Sequence, residues 1–156
     1  NTPFRMYKRY THEGGVATPL IVHWPRGMKA KGALRHAPSH LIDIAPTCLA
    51  AAGLEGEGME GESLLPVFAQ DQKRARTLFW EHEGNRAVRK GDYKLVAMHN
   101  TPWELYDMSK DRSELEDLSS SMSKKTEELR AAWESWAKRV GALPWDEVNV
   151  KKKKKK

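Results

Sequence analysis

The chain has 156 residues, 31% of them charged, six tryptophans and a formal net charge of +6. That length can bury the core of one domain, and no stretch approaches the ~20 apolar residues of a helical membrane span. Lys151 to Lys156 supplies the whole net charge. The body is near neutral, so no nucleic-acid surface of interleaved basic and aromatic residues is expected. A lone cysteine, Cys48, excludes an intrachain disulfide.

In chain order, Asn1 to Tyr7 reads as an irregular lead-in. Lys8 to Gly15 is a charged loop with Lys8, Arg9, His12 and Glu13, kinked at Gly14-Gly15, where something can approach the backbone closely. Val16 to Trp24 predicts a strand, with Leu20, Ile21 and Val22 buried between Pro19 and Pro25. Pro25 to Pro38 is a surface connection. Asp43 is placed to cap a helix with Pro46 in its first turn and Gly53 as its stop. Cys48 lies inside that helix and reads as a small buried apolar residue. Ser63 is placed to cap a short helix carrying Leu64, Leu65, Val67 and Phe68, and a subdomain boundary is expected in Ala69 to Arg76.

Four strand candidates follow: Thr77 to Glu81, Asn85 to Arg89, Tyr93 to Ala97 and Trp103 to Asp107. Glu83-Gly84, Gly91-Asp92 and Asn100 to Pro102 supply turns, so an antiparallel meander is expected. Ser123 to Val140 predicts a helix with Leu129, Trp133, Trp136 and Val140 on one stripe, capped by Ser123, stopped by Gly141 and packed on the sheet. The terminal lysines read as a solvated, disordered tail over 147–156.

The stretch Lys8, Arg9-Tyr10-Thr11-His12, Glu13-Gly14-Gly15 and then Trp24-Pro25 resembles the sulfatase family. That family has a lysine, four variable residues, Glu-Gly-Gly and a strand ending in Trp-Pro. The likeness continues through Asp43, Pro46-Thr47 and Ala52-Gly53, then Gly61-Glu62-Ser63-Leu64-Leu65-Pro66. It goes on through Arg86 to Arg89, Gly91 to Leu95 and Trp103 to Asp107. At Asp111-Arg112-Ser113-Glu114, Arg112 stands where the family has proline, which would loosen a turn without touching the chemistry.

The resemblance implies an α/β fold: the C-terminal part of an alkaline-phosphatase-like sulfatase. Residues 1–70 would end the catalytic domain, and 71–146 would form a small antiparallel sheet packed by one long helix. It implies hydrolysis of a small-molecule or glycan sulfate ester, with Lys8 binding the sulfate. His12 would assist as hydrogen-bond donor or proton carrier, or else only order the loop. Glu13 reads as structural, paired with a base or capping backbone N–H groups. His82, Asn85 and Arg86, at one turn of the sheet, would read the non-sulfate part of the substrate or form only a polar turn.

Family members use a formylglycine made within Cys/Ser-x-Pro-x-Arg and a divalent ion, usually calcium. Both sets of residues precede the lysine motif, and Cys48 lacks the required Pro and Arg, so no metal ligands are expected here. By the same resemblance the complete protein would be periplasmic or secreted. Two other readings stay open: a phosphatase or phosphonate hydrolase of the same superfamily, and a non-catalytic binding module with a polybasic tail. If Leu20 to Val22 belongs inside a larger sheet, residues 1–53 should aggregate or order only partly when expressed alone.

Overall fold

The computed structural model describes residues 2–29 and 31–153. Its elements are α1 (Glu13–Val16), a 3₁₀ turn (Leu41–Asp43), α2 (Ile44–Ala51), α3 (Leu65–Ala69), β1 (Thr77–His82), β2 (Asn85–Lys90), β3 (Tyr93–Ala97), β4 (Glu104–Asp107), α4 (Ser123–Val140) and α5 (Trp145–Lys153). They fall into two compact units, residues 1–19 with 76–156, and residues 20–75.

In the first unit the strands form an antiparallel meander in the order β1-β2-β3-β4. Glu83 and Gly84 have φ of 51° and 81°, as a two-residue type I′ hairpin turn requires. Phe79, Val88, Leu95 and Leu105 stand opposite one another across the four strands. Alternation puts that row on one face, and Leu129 of α4 closes over it; Val88, Leu95, Leu105 and Leu129 are all fully buried. Phe79 stacks on Trp136, ring centroids 5.1 Å apart. The Trp133 indole N–H donates to the Trp80 carbonyl at 3.0 Å.

The meander and the long helix therefore form where the sequence predicts them. Details differ. Ser123 is the first helical residue, and the cap position falls on Met122. Val140 ends the helix 44% exposed, and Ala137 is the buried residue of the last turn. Residues 147–153, expected in a disordered tail, continue α5. The Pro144 carbonyl accepts from the Glu147 and Val148 N–H groups, and Asp146 and Glu147 in the first turn suit the helix dipole. Lys154 to Lys156 lie outside the described residues.

The other face of the sheet carries Ala87, Val96 and Tyr106, with Arg89, Lys94 and Glu104 at alternating positions of the same strands. The N-terminal segment bonds to this face: Arg5 and His12 reach Glu104, and Glu13 reaches Lys94. This is why residues 1–19 belong to the sheet unit, whereas the sequence grouped them with everything up to residue 70.

In the second unit Asp43 is the hub. Its carboxylate is fully buried, accepts from the His40 and Glu62 N–H groups and pairs with Arg74 at 3.0 Å. It thus closes the 3₁₀ turn, rather than capping α2 through its side chain. Thr47 donates to the Asp43 carbonyl and accepts from the Leu64 N–H. Ser63 accepts from the Leu65 N–H at the start of α3.

The expected strand over Val16 to Trp24 is not formed. Val16 closes α1, and 17–24 has no regular structure. Leu20 and Ile21 are 52% and 90% exposed, not buried. A strand needs a ladder partner, and the described strands pair only with one another. Cys48, expected to be buried, is exposed on α2.

Candidate functional site

Tyr7 to Tyr10 forms a β-turn, closed by the Tyr10 N–H donating to the Tyr7 carbonyl at 2.8 Å. Lys8 and Arg9 occupy its two corners, and both are exposed. The rings of Tyr7 and Tyr10 meet edge to face, centroids 5.3 Å apart. No side chain among the described residues pairs with the Lys8 ammonium. Arg9 pairs with Glu83 at 2.8 Å, and its carbonyl accepts from the Asn85 side chain at 3.3 Å.

The Glu-Gly-Gly segment locks this turn from behind. A Cβ on Gly15 would lie 1.9 Å from the Tyr10 carbonyl oxygen, and one on Gly14 would lie 2.2 Å from that of Met6. What approaches the glycines is thus the chain's own turn. Glu13 is buried and structural, as its chemistry suggested. Its carboxylate lies 3.0 Å from Lys94 and 3.3 Å from Arg112, and its N–H donates to Glu114 at 2.9 Å. Burial pushes the Glu13 carboxyl up, but Lys94 and Arg112 outweigh it and the net shift is downward. Arg112, which the sequence reading left without a role, also lies over the Phe4 ring.

His12 is 1% exposed, and its Nε2 faces Glu104 at 3.5 Å. Burial, then the charges of Arg5 and Lys94, push its pKa down to about 4, against the pull of Glu104. The imidazole is neutral near pH 7 and turned into the sheet unit. The structure does not bring it to the exposed turn with Lys8. The partner its Nε2 faces is a carboxylate, where a loop-ordering histidine was expected to meet a backbone carbonyl.

The other three expected residues separate. His82 is exposed at the end of β1. Asn85 is buried, donating to the Arg9 and His82 carbonyls and accepting from the His99 N–H. It reaches the Lys8 turn as a brace. Arg86, the next residue along the strand, faces the opposite side, 4.5 Å over the Trp103 ring. Its guanidinium donates to the Thr101 carbonyl, and burial lowers its pKa.

Sequence reasoning missed the charged layer beneath the turn: Arg5, Lys94, Glu104, Tyr106 and Glu114. Arg5 donates to both Glu104 and the Tyr106 hydroxyl at 2.7 Å. Lys94 lies 2.9 Å from Glu114. One signal was present: Lys94 and Glu104 interrupt strands whose other inward positions are apolar.

The family model for N-sulphoglucosamine sulphohydrolase, C-terminal, matches residues 4–138, and the chain belongs to that sulfatase family. Among relatives, it is 31% identical over 140 residues to the N-acetylglucosamine-6-O-sulfatase of Bacteroides thetaiotaomicron, a match covering 78% of this chain and 25% of that protein. It is 36% identical over 99 residues to the N-acetylgalactosamine-6-sulfatase of Mus musculus, covering 60% and 19%. The crystal structure of Ps i-CgsB superimposes with a TM-score of 0.77 at 27% identity, over 88% of this chain and 32% of that one. The chain thus spans about a quarter of the length of the curated relatives it matches. The sulfatase likeness and the α/β fold with its small sheet and long helix agree with the sequence reading.

The resemblance implies a formylglycine and a divalent ion. The residues described do not fit either group. None of their His, Cys, Asp and Glu side chains gather in threes placed to hold a metal. Cys48 precedes Leu49, Ala50 and Ala51, without the needed Pro and Arg, and lies exposed on α2. No helix among the described residues is long and apolar enough to cross a membrane.

Proposed function

We propose that this chain is the C-terminal part of a sulfatase and that Lys8 binds the sulfate group of the ester being hydrolysed. The placement of Lys8 carries the reading. It stands at the corner of a turn fixed by Gly14 and Gly15 and braced by Asn85. A sulfate ester spreads negative charge over its oxygens, and cleavage builds more on the bridging oxygen. A cation held in advance stabilises that state without reorganising.

His12 acts from below as a neutral spacer for the same loop. His82, exposed beside the turn, faces the non-sulfate part of the substrate. Two of the relatives are named as sulfatases of N-acetylated amino sugars, which supports a sulfate ester of a glycan as the substrate class. Formylglycine and the divalent ion would come from elsewhere in the complete enzyme. Leu20 to Val22 would complete a ladder there, and residues from 20 to about 70 would join the larger domain.

The test is product inhibition. In the complete enzyme carrying this chain, Lys8→Ala should raise the inhibition constant of inorganic sulfate at least about tenfold. An unchanged constant would refute the assignment.

A further inference from the structure

The cation beneath the turn has no part in the proposed chemistry. Lys94, the second residue of β3, has its side chain 0% exposed. An ammonium leaves water at large cost and stays buried only among partners. Here they are Glu13 at 3.0 Å and Glu114 at 2.9 Å. Glu114 in turn accepts from the Glu13 N–H, so Glu13 is held at both its carboxylate and its backbone. The next two residues, Gly14 and Gly15, lie against the Met6 and Tyr10 carbonyls with no room for a Cβ. The position of the Glu13 carboxylate therefore sets the position of the Tyr7 to Tyr10 turn.

An apolar residue would serve the stability of that strand at least as well as a buried ion pair.

We propose that Lys94 is a positioning residue for Lys8. Through Glu13 and Glu114 it holds the Glu-Gly-Gly segment in register and so places the Lys8 ammonium. The catalytic arm of the test rests on the sulfate-binding reading above; the exchange arm does not.

Lys94→Met and the double variant Lys94→Met/Glu13→Met separate placement from stability. The single change takes the ammonium from Glu114 and leaves Glu13 with Arg112 alone, and should lower the melting temperature. The double change leaves only Glu114, whose pKa burial already raises, and it should recover most of the loss. Recovery of fold should not recover placement. In the complete enzyme the double variant should keep a KM for the sulfate ester, and an inhibition constant for inorganic sulfate, raised at least about tenfold. In the same enzyme, its Gly14 to Val16 amides should exchange faster than in the parent while those of Val88 and Leu95 do not.

Arg112→Gln, a milder change at a half-exposed side chain, covers the case in which the others fail to fold. It should speed exchange at Gly14 and raise the same KM about two- to threefold. Parental KM in the folded double variant, or unchanged Gly14 exchange in either folded variant, would overturn the proposal. If Lys8→Ala leaves turnover unchanged, the sulfate reading falls and the exchange arm still decides the role of Lys94.

Discussion

Arg5 and Glu104, 99 positions apart, meet at 2.7 Å, and the Tyr106 hydroxyl donates to the same carboxylate oxygen at 2.7 Å. This pair ties the N-terminal segment to β4. Burial pushes the Glu104 carboxyl up, but the hydrogen bonds from Tyr106 and Arg5 prevail and the net shift is downward. Arg5→Met leaves a part-buried carboxylate with one donor fewer, and should cost about 1–3 kcal/mol in urea unfolding. A cost below about 0.5 kcal/mol would make the pair an ordinary surface contact.

The glycines offer a sharper structural test. Gly15→Ala drives a methyl to 1.9 Å from the Tyr10 carbonyl oxygen, so the turn must move. Ala131→Gly, on the exposed side of α4, should cost about 1 kcal/mol through helix propensity alone. The Gly15 variant should cost more and should also loosen the Tyr7–Tyr10 ring pair, seen as averaged aromatic signals by NMR. Equal costs with unchanged rings would show that the turn yields freely.

The pH dependence follows from His12. Its pKa falls from 6.5 to about 4 on folding. Between these values the unfolded chain takes up a proton that the folded chain refuses. Stability is therefore unaffected by this group above pH ~6.5 and falls as the pH drops toward 4, by up to about 1.4 kcal/mol per pH unit. Denaturant midpoints measured from pH 7 to 4 should show the slope, and His12→Gln should flatten it. A slope unchanged in the variant would show that His12 does not carry it.

Much of this was legible in local sequence. The hairpin turns at Glu83-Gly84 and Gly91-Asp92 and the 3.6-residue spacing of Leu129, Trp133 and Trp136 are short-range signals, and the meander and helix follow from them. The apolar run Leu20 to Val22 read as a strand because composition reports what a segment can pair with, not whether a partner is present. The charged layer was invisible for another reason. Arg5, Glu13, Lys94, Glu104 and Glu114 meet over long separations, so each alone looks like a surface charge. Asn85 and Arg86 looked like one cluster, yet strand alternation sends them to opposite faces.

Exposure of Leu20 and Ile21 predicts self-association of this chain expressed alone. Ile21→Lys should lower its sedimentation-average mass and raise its solubility, as a charge does on an unpaired strand. A parent chain that stays monomeric at ~100 μM, a concentration where exposed edges associate, would remove the reason for assigning that run to a larger sheet.

The central claim is that Lys8 meets the sulfate in the reaction, and turnover tests it most directly. The complete enzyme carrying this chain should lose at least about tenfold in kcat/KM for a glycan sulfate ester on Lys8→Ala, with its melting temperature unchanged because the side chain is exposed. Full activity in a folded Lys8→Ala enzyme would contradict the account.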